Sequence, residues 1–136
     1  MFKRILLATD GSPVVEREIL YVEHLARVEQ AELFVLHAYE APARYAGFAG
    51  YEQLLERYHE VAQAVVDDVV NELREDGFAA QGEVRVGLAA EAIIAVAAEY
   101  DIDLIVMGMR GGSNLQLGSV SAQVLRQAHC PVLQIP

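Results

Sequence analysis

Gly108, Gly111, Gly112 and Gly118, followed by Ser119 and Ser121, have types and spacing suited to one chemistry, the holding of an anion. Glycine lets backbone N–H groups come close to a phosphate, and the first N–H groups of a helix have no partner within it. The apolar run Leu104 to Met107 enters this stretch as a buried strand would, and Val120, Val124 and Ala128 leave it at helical spacing. The layout is that of a phosphate-binding turn, although the same glycines would serve a plain strand-to-helix connection. Two other phosphate signatures are missing. A P-loop needs a lysine after its last glycine, whereas Gly118 passes straight to Ser119 and the only lysine is Lys3. The dinucleotide fingerprint needs closely spaced glycines after the first strand, where this chain has Asp10-Gly11-Ser12.

Other chemistry-bearing residues read as structural. His24, His37, His59 and His129 lie in different elements without metal-ligand spacing. Cys130, at the entry to a buried run, reads as a small packed hydrophobe rather than a reactive thiol. Asp67-Asp68 and Glu75-Asp76 fall on a long helix and its end and read as solvated. Tyr45 and Phe48 read as loop anchors, with closure over a ligand or a partner as the alternative.

The elements that must position the glycine stretch follow from hydrophobic periodicity. Ile5 to Ala8 is a continuous apolar run, the pattern of a strand covered on both faces, and it ends at Thr9-Asp10-Gly11-Ser12-Pro13. Ser12 is expected to cap a helix with Pro13 in its first turn and Val15, Ile19, Val22 and Ala26 on its apolar face. Asp10 is placed either to meet a ligand at the strand's carboxyl end or to hold the turn through local N–H groups. Leu33 to Leu36 gives a second strand leading into His37-Ala38-Tyr39. Residues 40–50 read as a connection with little structure. Leu54, Tyr58, Val61, Val65, Val69 and Leu73 mark a long helix stopped by Asp76-Gly77. Gln81 to Val86 alternates as an edge strand, and Ala90, Ile93, Ile94 and Ala97 mark a third helix. After the Leu104 strand, a fourth helix over about Ser119 to Ala128 and a last strand, Pro131 to Ile135, complete the chain.

Strands and helices thus alternate strictly, which predicts an α/β fold: a three-layer, doubly wound arrangement of five parallel strands and four helices. The two most apolar runs, at Ile5 and Leu104, belong side by side in the centre, giving the strand order 3-2-1-4-5. The topological switch then lies between strands 1 and 4, where Asp10 and the Gly108 loop converge.

With 136 residues, 54% of them hydrophobic, a single domain over 1–136 is expected, able to bury about two-thirds of its unfolded surface. Met1-Phe2-Lys3-Arg4 enters strand-like sequence directly and no apolar run approaches a membrane span, so a cytoplasmic protein without a membrane segment is expected. The lone cysteine excludes an internal disulfide. A net charge of −10 argues against general nucleic-acid or anionic-membrane binding, so an anionic ligand must be held by local N–H groups, helix starts or a nearby arginine.

Together, Ile5 to Ser12, Leu36-His37-Ala38, Val86-Gly87, Asp103 to Gly108 and His129 to Leu133 make the whole chain resemble the universal stress protein family. In its nucleotide-binding members the loop follows G-x2-G-x9-G-[S/T]. Gly108, Gly111, Gly118 and Ser119 match the fixed positions, but six residues separate Gly111 from Gly118, three fewer than the pattern. The resemblance implies ATP, ADP or AMP as ligand, with Mg²⁺ held mainly by the nucleotide's own oxygens. It places Ala8 and Asp10 on the adenine side, Ala38 at the base-lining turn and Met107-Gly108 beside the ribose. Gly108, Gly111, Gly118, Ser119, Val120 and Ser121 fall to the phosphates, and Arg110 lies close enough to add charge. Hydrolysis also needs charge stabilisation and a positioned water. Near the loop the sequence offers only Arg110, Arg126 and the hydroxyls of Ser113, Ser119 and Ser121, so binding with at most slow turnover is expected. The resemblance further implies a homodimer joined through the edge strand Val132 to Ile135. If the shorter loop abolishes nucleotide binding, the alternative is a dimeric signalling or interaction module.

Overall fold

The structure, a computed structural model, describes residues 1–109 and 118–136. The strands are β1 (Arg4–Ala8), β2 (Glu32–Tyr39), β3 (Ala80–Val86), β4 (Leu104–Gly108) and β5 (Val132–Ile135). The α-helices are α1 (Val15–Glu29), α2 (Tyr51–Glu75), α3 (Ala89–Glu99) and α4 (Ser119–Gln127), with a single 3₁₀ turn at Ala43–Tyr45. All neighbouring strands pair in parallel in the order β3-β2-β1-β4-β5, the expected arrangement.

The period-2 geometry of strands explains why the central runs are apolar throughout. Ile5 and Leu7 of β1, Leu33 and Val35 of β2, and Leu104 and Val106 of β4 point into one core, closed by Ile19 and Val22 of α1 and by Val66, Val70 and Leu73 of α2. Leu6 and Ala8, Phe34 and Leu36, and Ile105 and Met107 point the opposite way, onto Ile93, Val96 and Ala97 of α3 and Val124 of α4. Ile5 pairs with Leu104 and Ala8 with Met107, so β1 and β4 finish level and their helices leave on opposite faces.

Three local expectations are corrected. Ser12 does not cap α1 with its side chain: the helix begins at Val15, Asp10 Oδ1 accepts the Ser12 N–H at 2.9 Å, and the Ser12 carbonyl accepts the Val15 N–H at 3.2 Å. Asp10 and Gly11, the latter at φ 83°, form the turn that precedes the helix, and no side chain caps α1. β2 extends to Tyr39, because His37, Ala38 and Tyr39 keep pairing with Val84, Arg85 and Val86. The apolar face of α2 is rotated from the expected one: Val61 is exposed, while Ala62, Val66 and Val70 join Val69 and Leu73 in the core. Gly82 of β3 permits this, since a Cβ at that position would overlap the side chains of Val66 and Val70.

Between α1 and α2, Glu23, Glu72 and Asp76 bring carboxylate oxygens within 4.8 Å of one another, and Asp76 is exposed, as expected at a solvated helix end. Burial, then a hydrogen bond to Asp76, pushes Glu23 up to about 7. No helix among the described residues is long and apolar enough to cross a membrane.

Gly82→Ala is expected to lower stability by about 1–3 kcal/mol through overpacking against Val66 and Val70, measured as a reduced urea midpoint at unchanged m-value.

Candidate functional site

The carboxyl ends of β1 and β4 part where α1 and α4 diverge, opening a crevice of about 270 Å³, close to the lower end for small-molecule sites. Ala8 of β1 with Thr9 and Asp10 just beyond it, and Met107 and Gly108 from β4, form its base. Leu36 and Ala38 from β2 and Ala89 and Ile93 from α3 make an apolar slot to one side. Val14 and Glu18 of α1 face Gly118, Ser119, Val120 and Ser121 at the start of α4.

The loop ends are tied to the sheet. The Met109 N–H donates to the Ile135 carbonyl at 2.8 Å, and the Gly118 N–H donates to the Met109 carbonyl at 3.1 Å. The Ser121 hydroxyl donates to the Gly108 carbonyl at 2.7 Å, and Gln134 Nε2 donates to the Ser121 carbonyl at 3.0 Å. With its proton committed to Gly108, Ser121 offers the crevice its backbone N–H rather than a hydroxyl proton. The N–H groups of Ser119, Val120 and Ser121 occupy the first turn of α4 and have no acceptor within the helix, leaving donors and the positive end of the helix dipole toward the crevice.

The opposite wall is held by other bonds. The Thr9 N–H donates to the Leu36 carbonyl at 2.9 Å, Thr9 Oγ1 accepts the Gly11 N–H at 3.1 Å, and His37 Nδ1 donates to the Thr9 carbonyl at 2.9 Å. His37 therefore braces the turn from beneath. Glu18 is 1% exposed and, among the described residues, its Oε1 meets no hydrogen-bond donor. Burial first, and the charge of Asp10 second, push its carboxyl up to about 7. The crevice therefore has amide donors on one wall and two carboxyl groups on the other.

Of the residues singled out from sequence, Ala8, Asp10, Ala38, Met107, Gly108, Gly118, Ser119, Val120 and Ser121 meet here. Arg110, Gly111 and Ser113 lie outside the described residues. Arg126 is exposed in the last turn of α4, away from the crevice. Tyr45 and Phe48 do not line it; their ring centroids lie 6.4 Å apart, packed edge to face. Cys130 packs at the margin of the second core, and burial pushes its thiol up, as expected of a packed residue. Thr9, Val14, Leu36, Ala89 and Ile93 escaped sequence reasoning because they resemble ordinary core or turn residues. Glu18 did carry a signal: it falls on the apolar face of α1 among Val15, Ile19 and Val22.

The sequence profile of the universal stress protein family matches residues 1–136. The chain is similar to a universal stress protein of Thermus aquaticus, 40% identical over 99% of both chains. Its fold is similar to that of MJ0577 of Methanocaldococcus jannaschii, with a TM-score of 0.88 at 28% identity over 99% of this chain and 96% of the other. It is also similar to an Archaeoglobus fulgidus universal stress protein solved in complex with dAMP, with a TM-score of 0.75 at 25% identity over 99% and 98% of the two chains.

The burial of Glu18 fixes a pH dependence of stability. Its folded-state pKa of about 7 lies above the ordinary 4.5, so the folded chain binds more protons across that window and stability falls as pH rises from 4.5 through 7. Glu18→Gln removes this component, leaving the one from Glu23. In urea titrations the variant should exceed the parent by on the order of 3 kcal/mol at about pH 8, with the gap closing below pH 4.5.

Proposed function

Because the chain belongs to the universal stress protein family, we propose that it binds an adenine nucleotide, ATP, ADP or AMP, in the β1–β4 crevice and acts as a homodimeric regulatory protein of the stress response. The observation that carries this reading is the convergence of the first-turn N–H groups of α4, which have no acceptor within the helix, with Gly108 beside an apolar slot. Amides suit phosphate oxygens, and the slot between Leu36, Ala38 and Ile93 suits a flat base.

In this reading Ser119, Val120 and Ser121 hold phosphate through backbone N–H groups, with the Ser119 hydroxyl as a further donor. Gly108 and Gly118 permit close approach, and Ala8, Asp10, Ala38 and Met107 surround the nucleoside. Arg110 and Gly111 complete the phosphate side. Mg²⁺, where present, neutralises phosphate charge and takes most of its ligands from the nucleotide. The dAMP complex of the Archaeoglobus relative supports an adenine nucleotide as the ligand class. In this reading the chain is a binding protein with at most slow hydrolysis: Arg126 is remote from the crevice, and Arg110 is the other arginine that the sequence offers near the glycine stretch.

The free edge of β5 supports the dimer. Among the described residues, Val132 to Ile135 pair with β4 alone, so a second copy can continue the contact about a two-fold axis. The spacer of six residues between Gly111 and Gly118 favours a second reading, a dimeric interaction module that binds no nucleotide.

Calorimetric titration of ATP and of AMP, each with Mg²⁺, should give about one site per chain at millimolar or tighter affinity. Gly118 sits at φ −67°, ψ 156°, open to any residue, so Gly118→Val adds bulk in the crevice without backbone strain and should weaken binding by about tenfold or more while folding persists. Absence of uptake by a folded dimer would leave the interaction module. Leu133→Arg should convert the dimer to monomer in light scattering, and an unchanged mass would overturn the β5 interface.

A further inference from the structure

Among the described residues three polar side chains are buried, Thr9, Glu18 and Ser121, and all three line the crevice. Two are satisfied by backbone: Thr9 Oγ1 accepts from Gly11, and Ser121 Oγ donates to Gly108. Glu18 differs, with Oε1 buried and without a donor. Glu83 Oε2 is also buried and unpartnered, but that carboxylate is held through Oε1 by Arg85 at 3.0 Å. Glu18 takes a place on the apolar face of α1 where a hydrophobic side chain would pack, and it borders the space assigned to the ligand.

We propose that Glu18 is a ligand-contacting residue: in the bound state its carboxyl carries a proton and donates it in a hydrogen bond to a phosphate oxygen of the nucleotide, so that binding is accompanied by proton uptake. This deepens the nucleotide reading above and rests on it. An ionised Glu18 beside Asp10 sets two negative charges against the incoming phosphate, and one proton from solvent removes a charge and supplies a donor. The groups around Glu18 leave that proton to decide. Asp10, at the end of β1, is the charged group acting on it among the described residues. On α1 itself, Arg17 Nη1 donates to the Pro136 carbonyl, and Glu16 faces Glu72 of α2. From β2, His37 is bonded to the Thr9 carbonyl, and the first turn of α4 contributes no acidic group.

The test is calorimetric titration of AMP, with EDTA present, into the full chain and into Glu18→Gln at about pH 6 and about pH 8.5. With the free carboxyl near 7 and the bound form protonated, wild-type affinity should fall by about thirtyfold more than that of Glu18→Gln across this range. Glutamine keeps a donor without titrating, and the comparison cancels the titration of AMP itself. A carbon-13 carboxyl titration of wild type should show Glu18 moving to higher pKa on adding AMP. Parallel pH profiles, or an unmoved Glu18 resonance with AMP bound, would overturn the proposal. When the titrations are repeated with Mg²⁺ in place of EDTA, binding that requires Mg²⁺ in wild type and loses that requirement in Glu18→Gln would make Glu18 a metal ligand and overturn it equally. Wild type that takes up no AMP in EDTA overturns this proposal, and wild type that also takes up neither ATP nor AMP with Mg²⁺ overturns the nucleotide reading itself.

Discussion

The parallel pairing of β1 with β4 is the constraint on which the rest of this molecule depends. It joins the two most apolar runs of the chain, Ile5 to Ala8 and Leu104 to Gly108, in level register at the middle of the sheet. Right-handed crossovers then send α1 to one face and α4 to the other, and backbone cannot fill the gap between them at the carboxyl ends. At the amino ends the same pair is closed. Asp103 Oδ2 accepts the N–H groups of Lys3 and Arg4 at 2.7 and 2.9 Å, and Arg4 Nη1 donates to the Tyr100 carbonyl at 2.9 Å. The strand pair is clamped at one end and open at the other, and the open end is the crevice.

The crevice is also built to stay in shape without a ligand. Gly118 returns to Met109, Met109 is held by Ile135, and Ser121 is held by both Gly108 and Gln134, so β5 supports the start of α4 from below. These bonds fix both sides of the stretch and aim the first turn of α4 at the crevice. Preorganised donors of this kind hold an anion without the entropic cost of ordering side chains. They also suit an acidic protein, since backbone dipoles act locally and do not require a basic surface.

Much of this was legible in sequence, for identifiable reasons. Buried parallel strands need apolar residues on both faces, so Ile5 to Ala8 and Leu104 to Met107 declared themselves as central, and the strand order followed from handedness. The glycines and hydroxyls after β4 declared an anion site because few other uses need those types together. The rest depended on partners distant in sequence. The register of α2 turns on Gly82, more than ten positions beyond Val70 and on another element, so periodicity within α2 alone favoured Val61 over Ala62. The start of α1 turns on the bend before it: Asp10 Oδ1 accepts the Ser12 N–H, the Ser12 carbonyl rather than its hydroxyl receives the Val15 N–H, and the helix begins at Val15. Ser121 looked like a phosphate hydroxyl until the Gly108 carbonyl proved to be within 2.7 Å.

Glu18 shows how a break in pattern locates function. An amphipathic helix keeps charge off its apolar face because burying a carboxyl without a partner costs free energy in every folded molecule. On α1 that face carries Val15, Ile19, Val22 and Ala26, each placed as periodicity demands, with Glu18 among them. The other buried polar groups of the crevice offset their desolvation with backbone bonds, as Thr9 and Ser121 do. No bond within the described chain does this for Glu18 Oε1. The compensation must then come from a proton, which neutralises the group, or from something that enters the crevice and bonds to it. These two are linked: a neutral carboxyl is a donor, and the positive end of α4 across the crevice favours a guest rich in acceptor oxygens. An unmet carboxyl on α1 and the first-turn amides of α4, which have no acceptor within the helix, border the same small volume and define the guest more narrowly than either does alone.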